Sequence, residues 1–344
     1  MYVDYFKERE IKALEKLNLL LNQLPPFCKH FFVGIAHTTS SQTRVAYAYD
    51  LKVFFQYLGS NIDEFLYKPL SDFTLANLEL ITAMDVQLFL EFVTARTSKG
   101  KGSSQTTLTN SNQGKMRKLA TLRSFFAYYF KHDQISKNIM PKIDMPKIKD
   151  KPIIRLEQNE VATLLDAPLE TEENTSIRDY TMLLLFLSSG IRVSELVGLN
   201  IADINLENKS FRITRKGGEQ VILYMTDELV GQLQDYLDHI TKNDNQQPPP
   251  SSPLFITRLG KRISVRSVQL LVKKYADSAV PLKNITPHKL RSTFGTRLYH
   301  QTGDIYVVAD VLGHKDVNTT KKHYAAITED IRRQAVKKLD ILSE

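Results

Sequence analysis

A helix start and two reactive side chains lie together in the sequence Thr286-Pro287-His288-Lys289-Leu290-Arg291. Thr286 is a suitable N-cap, and Pro287 suits the first helical position because an N–H there has no intrahelical partner. His288 and Arg291 are three positions apart, so they share one face of the helix that this pattern predicts. The spacing therefore points an imidazole and a guanidinium group in the same direction.

A second pair of polar side chains follows downstream. Residues 304–312 are predicted to form a short helix that ends at Gly313, and His314 comes directly after it. Tyr324 lies ten residues further along, after a polar run. Two imidazoles, an arginine and a phenol indicate phosphate chemistry with a tyrosine nucleophile. From this stretch alone, a capped helix with surface charges explains the pattern equally well.

Two upstream motifs favour phosphate chemistry. One is Gly190-Ile191-Arg192-Val193-Ser194-Glu195-Leu196, which follows a strongly apolar predicted core helix at 177–189. The other is Arg215-Lys216-Gly217-Gly218, at the tip of a hairpin predicted from strands at 211–214 and 221–224. In chain order, the polar candidates are then Arg192, Lys216, His288, Arg291, His314 and Tyr324.

These six residues and their contexts resemble the tyrosine recombinases, also called the phage integrase family, which include the Xer chromosome-dimer resolvases. That family has Arg, Lys, His-x-x-Arg, His and Tyr in this order, within the contexts G-[IL]-R-x-S-E-L, [GR]-K-G, H-x-L-R and L-G-H. All six positions match, and the likeness covers essentially the whole chain. Many members have a second histidine after the motif arginine, where this chain has Ser292; that histidine is not the principal catalytic one.

The resemblance implies a role in phosphodiester cleavage for each residue. Arg192 and Arg291 are expected to hold the non-bridging oxygens, since the arginine fork donates parallel hydrogen bonds and stays charged. Tyr324 is expected to attack phosphorus and to form a covalent phosphotyrosine. The remaining roles are a base at His288, a hydrogen-bond donor to phosphate at His314, and an acid for the departing 5′ oxygen at Lys216.

Composition limits the partners and cofactors. The chain has 344 residues, enough for two domains, and a formal net charge of +8, which is compatible with nucleic acid. Cys28 is the only cysteine, so no internal disulfide or cysteine zinc site is available, which fits a reducing cytosol. The sequence shows no pair of carboxylates and no His/Cys cluster at the spacing of a metal site, which argues against a two-metal nuclease. We therefore expect no metal, nucleotide or other cofactor.

The first half of the chain is predicted to be helical. Helices are expected at 11–21, 40–59, 84–95 and 115–131, with a Gly/Ser/Thr-rich loop or late helix start at 97–114. The last helix has an apolar stripe typical of a core, formed by Leu119, Leu122, Phe126 and Phe130. Basic residues beside apolar faces are candidate phosphate contacts, with plain solvation of each as the alternative. They are Arg44, Lys115, Lys118 and Arg123.

We predict a helical core DNA-binding domain at 1–137, a basic proline-containing linker at 138–154 and a catalytic domain at 155–344. An ordinary basic loop is the alternative for the linker. The catalytic domain is expected to mix helices with the hairpin and a short strand at 254–256. The fold class is therefore mainly α, with a small antiparallel β-sheet in the C-terminal domain.

The last residues form a further predicted helix, with one apolar face made by Ile331, Ala335, Leu339 and Leu342. This face either packs on its own domain or, as the resemblance implies, inserts into a neighbouring protomer of a homotetramer on two sites. The resemblance also implies a double-stranded DNA target with paired half-sites and a cytoplasmic, nucleoid-associated bacterial protein. An accessory or activator protein is left open, and neither a signal peptide nor a membrane anchor is expected.

Three functions compete at this point. The leading one is a site-specific recombinase that acts through Tyr324, for chromosome dimer resolution or for integration and excision of a mobile element. A type IB topoisomerase uses a similar residue set but relaxes DNA as a monomer; the two-domain layout and the segment after Tyr324 favour the recombinase. A non-catalytic DNA-binding protein on the same fold is the third, and the presence of all six residues argues against it.

Overall fold

The computed structural model describes residues 5–99, 105–147, 154–171, 175–215, 217–244, 248–314 and 316–317. The chain divides into two compact units, Val3–Asp150 and Lys151–Glu344. The fold is mainly helical with a small antiparallel sheet in the second unit, which confirms the predicted fold class. Within the described residues, none of the helices combines the length and the apolar character that crossing a membrane requires.

The first unit is a helical bundle. Its elements are α1 (Tyr5–Leu21), α2 (Cys28–Gly34), α3 (Ser41–Asn61), α4 (Leu75–Leu80), α5 (Ala83–Phe92), β1 (Ala95–Lys99), β2 (Gln105–Thr109) and α6 (Asn112–Lys131). Side-chain caps explain two of the helix starts. The Ser40 hydroxyl accepts a hydrogen bond from the Thr43 N–H at α3, and Thr82 and Asp85 form a reciprocal capping box at α5.

An aromatic cluster forms the core of this unit. Phe31, Phe55 and Phe125 are fully buried, and Phe125 makes edge-to-face contacts with both of the others. Cys28 is also fully buried, and burial raises the pKa of its thiol. The predicted stripe on α6 is confirmed at Leu119, Leu122 and Phe126, whereas Phe130 is 47% exposed. The core-facing side of α6 passes instead through Phe125 and Tyr129, as helical periodicity requires.

Two segments differ from the sequence-based expectation. The segment 97–114, predicted as a loop or late helix start, takes part in the antiparallel pair β1–β2, and α6 begins within it at Asn112. In the predicted linker, Ile139, Met140 and Ile143 are buried in the first unit's core, so its first residues are folded there. The domain and linker boundaries remain a proposal.

The second unit combines helices with a three-stranded sheet. Its elements are α7 (Gln158–Asp166), α8 (Ser176–Ser189), α9 (Val193–Gly198), β3 (Ile204–Asn205), β4 (Ser210–Thr214), β5 (Gln220–Tyr224), α10 (Asp227–Asp244), α11 (Val265–Ala279), α12 (Pro287–Thr302) and α13 (Ile305–Leu312). The strand order is β3-β4-β5, and antiparallel pairing of β4 with β5 confirms the predicted hairpin. The strand predicted at 254–256 is wrong, because only isolated bridges occur there.

The apolar helix α8 is a buried core helix of this unit, as predicted. Its residues from Thr181 to Leu187 are buried on all sides, and it packs against α10 and α12. Gly190 ends it with a left-handed φ of 63°, and a Cβ at this position would lie 2.3 Å from the Phe294 ring. Glycine is therefore required here for both conformation and space. After this turn, Arg192 contacts the C-terminal end of α13, and the Gly190 carbonyl accepts a hydrogen bond from Arg291 near the start of α12.

Candidate active site

Arg192 leaves the α8–α9 turn with its guanidinium held on two sides. Glu195, in the first turn of α9, is 3% exposed and accepts the Arg192 backbone N–H at 2.7 Å through Oε2. Its other oxygen, Oε1, accepts Nη1 of the Arg192 side chain, also at 2.7 Å. Nη2 donates to the carbonyl of Gly313 at 3.0 Å. One carboxylate thus fixes both the backbone and the side chain of Arg192.

Arg291 joins the ends of two helices. It lies in the first turns of α12 and is 6% exposed. Its Nη1 donates to the Gly190 carbonyl at 2.7 Å, and its Nη2 donates to the Leu312 carbonyl. These acceptors are the final carbonyls of α8 and α13, which have no intrahelical partners. Arg291 therefore connects the turn that carries Arg192 to the turn that carries His314.

Arg215 is a third arginine at the same place, and sequence reasoning missed it. Its Nη2 donates to the carbonyls of Asp310 at 3.2 Å and Val311 at 3.0 Å. The four consecutive carbonyls from 310 to 313 thus accept hydrogen bonds from three guanidinium groups. A helix C-terminus carries partial negative charge, so it stabilises this concentration of cations.

His314 projects from the end of α13 as predicted. Gly313 has a φ of 62°, its N–H donates to the Asp310 carbonyl, and the His314 N–H donates to the Ala309 carbonyl. This pattern is typical of a left-handed helix end and fixes the backbone from which the imidazole extends. His288 lies in the first turn of α12, exposed to solvent, three residues before Arg291.

The structure brings together Arg192, Arg291 and the His314 backbone around the end of α13, and it places His288 on the helix of Arg291. Lys216, Tyr324 and the predicted C-terminal helix lie outside the described residues. Glu195 could have been found from the sequence, because Arg192-x-x-Glu195 has capping-box spacing at a helix start. Nothing in the sequence distinguishes Arg215 from an ordinary hairpin cation.

Lys118, one of the four predicted DNA contacts, lies inside the first unit. Lys118 is 5% exposed, and its ammonium donates to Asn110 Oδ1 at 3.1 Å and lies 3.7 Å from Asp50 Oδ1. Asp50 is itself buried and also accepts from Arg117 and Thr121. Lys118 therefore compensates a buried carboxylate inside the bundle. A phosphate would have to displace these partners to reach it.

The other three predicted contacts remain proposals. Arg123 donates through Nη2 to the Ile143 carbonyl at 2.6 Å, so part of its guanidinium holds the chain after α6 in place. Arg44 and Lys115 are half-buried at the starts of α3 and α6. Arg117 was not among the predicted phosphate contacts. It contacts Asp50 as Lys118 does, but 47% of its side chain stays exposed.

Among the described residues, no cluster of His, Cys, Asp or Glu side chains could hold a metal ion. The polar groups that do converge, at the end of α13, are cationic hydrogen-bond donors. Such donors suit an anionic ligand with several oxygens, and arginine in particular matches the geometry of phosphate.

Comparison with known proteins matches residues 154–330 to the phage integrase family. The protein named tyrosine recombinase XerC from Caldanaerobacter subterraneus subsp. tengcongensis is 33% identical, with 98% of this chain and 92% of that protein aligned. The tyrosine recombinase XerD of Staphylococcus epidermidis is 28% identical, with 88% and 94% aligned. The family match contains every described arginine and histidine of the α13 site.

Two solved structures share the fold. One is the XerH site-specific recombinase bound to its difH substrate before cleavage, with a TM-score of 0.63, 20% identity, and 86% of this chain and 80% of that chain covered. The other is the Tn1549 transposon integrase in complex with transposon right end DNA, with a TM-score of 0.63, 19% identity, and 91% and 98% covered. At these identities the similarity concerns the fold alone.

Proposed function

The chain belongs to the phage integrase family of tyrosine recombinases, and from this premise we infer which of its residues perform site-specific cutting and rejoining of DNA. The observation that carries the assignment is the convergence of Arg192 and Arg291 on the last carbonyls of α13, next to His314. A relative named as a tyrosine recombinase aligns along 98% of this chain, which favours a recombinase over a topoisomerase or a non-catalytic protein.

Arg192 and Arg291 are proposed to bind the non-bridging oxygens of the scissile phosphate. The Arg192 side chain is 36% exposed, and the carboxylate and carbonyl that hold it leave further N–H groups for a ligand. Arg291 is more deeply buried, so it contributes positive charge where water does not screen it. Fixed donors of this kind stabilise the negative charge that accumulates on the oxygens in the transition state.

The proposed reaction moves two protons and exchanges one ester bond for another. The Tyr324 phenol gives its proton to His288 as its oxygen bonds to phosphorus. The bond from phosphorus to the 5′ oxygen breaks, and Lys216 protonates the departing oxygen while His314 donates a hydrogen bond to the phosphate. The reverse sequence rejoins the strand. Because the phosphotyrosine keeps the ester linkage, no nucleotide hydrolysis is needed, and we expect cutting to proceed in EDTA.

The target is proposed to be double-stranded DNA with paired half-sites, bound by four copies of this chain on two sites. The basic groups Arg44, Lys115 and Arg123 are proposed to contact phosphates in the first unit. We further propose a cytoplasmic location with nucleoid association in a bacterium. Chromosome dimer resolution and movement of a mobile element are the two candidate roles, and mapping of covalent adducts across the host genome distinguishes them by position.

Replacement of the nucleophile tests the proposal. The DNA fragment recovered by adduct mapping is nicked near the cleavage point, incubated with wild type or Tyr324→Phe, and resolved under denaturing conditions. We expect a covalent protein–DNA adduct with wild type and none with the variant, since the hydroxyl that forms the bond is gone. Binding should stay within about 2-fold because phosphate affinity comes from cations.

Tyr306→Phe is the matched control, because Tyr306 lies on α13 of the same unit and is 70% exposed. This variant should form the adduct at the wild-type rate. Adduct formation by Tyr324→Phe would show that another residue is the nucleophile.

A further inference from the structure

The backbone of Arg215 closes the turn of the β4–β5 hairpin. Its N–H donates to the Glu219 carbonyl at 2.7 Å, and its own carbonyl accepts the Gly218 N–H at 3.1 Å. Gly217 and Gly218 have φ values of 100° and 86°, which glycine adopts without strain. Lys216 follows Arg215 directly in the sequence, so Arg215 is the last described residue before the proposed general acid.

The Arg215 side chain leaves the hairpin and reaches α13. Its Nη2 bridges the carbonyls of Asp310 and Val311. The guanidinium carbon also lies 2.4 Å from the point that a Cβ on Gly313 would occupy, so the absence of a side chain at Gly313 makes room for it. The guanidinium is therefore seated directly on the backbone of the turn that precedes His314.

The Nε atom of Arg215 is buried without a hydrogen-bond partner among the described residues. A buried unpaired donor costs free energy, so the contacts of Nη2 and the packing on Gly313 must outweigh that cost. Arg212, three residues earlier on β4, is different: it forms an exposed ion pair with Asp203. The two arginines of this hairpin thus have distinct environments, and of the two only Arg215 contacts the α13 site.

We propose that Arg215 is a positioning residue that ties the hairpin carrying Lys216 to the end of α13, and thereby holds the general acid near the arginine pair. Consecutive Cα atoms across a trans peptide bond are about 3.8 Å apart, so a residue and its neighbour in the chain cannot be positioned independently. Anchoring Arg215 therefore restricts the volume that the lysine ammonium can reach. This inference rests on the proposed role of Lys216 as the acid for the 5′ oxygen.

Two substrates separate this role from a general structural one. In ordinary site DNA the leaving oxygen must be protonated, whereas a 5′-bridging sulfur leaves as a thiolate without an acid. Arg215→Ala should cut ordinary DNA about 10- to 100-fold more slowly, since small misplacements of reacting groups have effects of this size. It should cut the sulfur substrate within about 3-fold of wild type. Damage to the phosphate clamp would slow both substrates alike.

Arg212→Ala is the control on the same hairpin and should cut both substrates at the wild-type rate. Arg215→Lys retains the charge but loses the planar guanidinium fork, so it should show the same substrate-selective defect. This variant replaces Arg215→Ala in the test if the alanine variant fails to fold. The double variant Arg215→Ala/Lys216→Ala should be no slower on ordinary DNA than Lys216→Ala alone, because both changes affect one step.

The outcomes distinguish the inference from the function on which it rests. If the 5′-bridging sulfur fails to rescue Lys216→Ala, the lysine is not the acid. The proposed acid role of Lys216 and the positioning role of Arg215 are then both overturned. If sulfur rescues Lys216→Ala but not Arg215→Ala, only the positioning role is overturned. Unchanged cutting of ordinary DNA by Arg215→Ala and by Arg215→Lys overturns it as well.

Discussion

Glu195 shows how a single buried carboxylate can organise a cationic site. Both of its oxygens are bonded to Arg192, one to the backbone N–H and one to the guanidinium. A carboxylate that is 3% exposed is costly to desolvate, and the pairing with arginine compensates that cost. The same pairing selects one direction for the Arg192 fork. Glu195 is therefore a positioning residue for the phosphate clamp.

Glu195→Gln tests this role without changing size. The amide oxygen can still accept one hydrogen bond, but the charge that orients the guanidinium is lost. We expect single-turnover cutting to fall about 10- to 100-fold, with DNA binding changed by less than about 3-fold. Glu207→Gln, an exposed residue between β3 and β4, is the control and should cut normally. Loss of binding equal to the loss of cutting would contradict a positioning role.

At the scale of elements, a buried ion pair joins α3 to α6. Asp50 on α3 faces Arg117, Lys118 and Thr121 on α6. Burial raises the pKa of the Asp50 carboxyl, and the two neighbouring cations oppose that rise. Removal of one partner would leave a buried charge less compensated, so this cluster matters for the stability of the bundle.

Lys118→Ala should therefore destabilise the first unit, by about 1–3 kcal/mol, as for a buried polar group that loses its partner. Its effect on the salt dependence of DNA binding should be negligible, since the ammonium does not neutralise a phosphate. Lys115→Ala is the comparison: stability should be unchanged and the slope of log K against log salt should fall by about one. Denaturant unfolding and binding titrations at several salt concentrations measure both. A reduced slope for Lys118→Ala at unchanged stability would restore the phosphate role.

At the scale of the whole molecule, each unit has its own apolar core, and the second unit contains all six proposed catalytic positions. The apolar face predicted from the sequence at Ile331, Ala335, Leu339 and Leu342 comes after Tyr324 in the chain, and a helix with such a face would need a surface that buries it. Insertion into a neighbouring protomer would couple the position of the nucleophile to assembly. Head-to-tail contacts of this kind close into rings when the rotation permits.

Deletion of residues 331–344 should leave a protein that binds one half-site as a monomer but neither pairs two sites nor recombines them. The reason is that, in the proposed assembly, the deleted face would supply the contact between protomers. Native mass measurement of the protein on site DNA gives the number of copies bound. Assembly of four truncated copies on two sites would exclude the protomer-exchange role.

Much of the second unit could be predicted because several levels of the sequence agree there. The apolar run at 177–189 is followed by a glycine, which predicts a buried helix and its end. The hairpin at 211–224 has glycines between two β-prone segments, so the residue pattern and the turn residues predict the same structure. The end of α13 was predictable for the same reason: an apolar helix, Gly313 and a polar residue follow one another.

Other features could not be predicted, for physical reasons. β1 and β2 contain mostly polar residues, so no alternation separated them from a loop. Lys118 lies at the border of an apolar stripe, where periodicity does not reveal whether a long side chain points inward or outward. The contact between Arg215 and α13 joins residues about a hundred positions apart, and nothing local to either residue indicates it.

The burial of Cys28 has a practical consequence for spectroscopy. Thiol reagents attack the thiolate, and a fully buried thiol with a raised pKa supplies almost none at neutral pH. The natural chain is therefore a background that needs no cysteine removal before dye attachment. A cysteine placed at the exposed Arg212 would be the one reactive thiol, and a fluorophore there would show whether the β4–β5 hairpin stays in place during strand cutting.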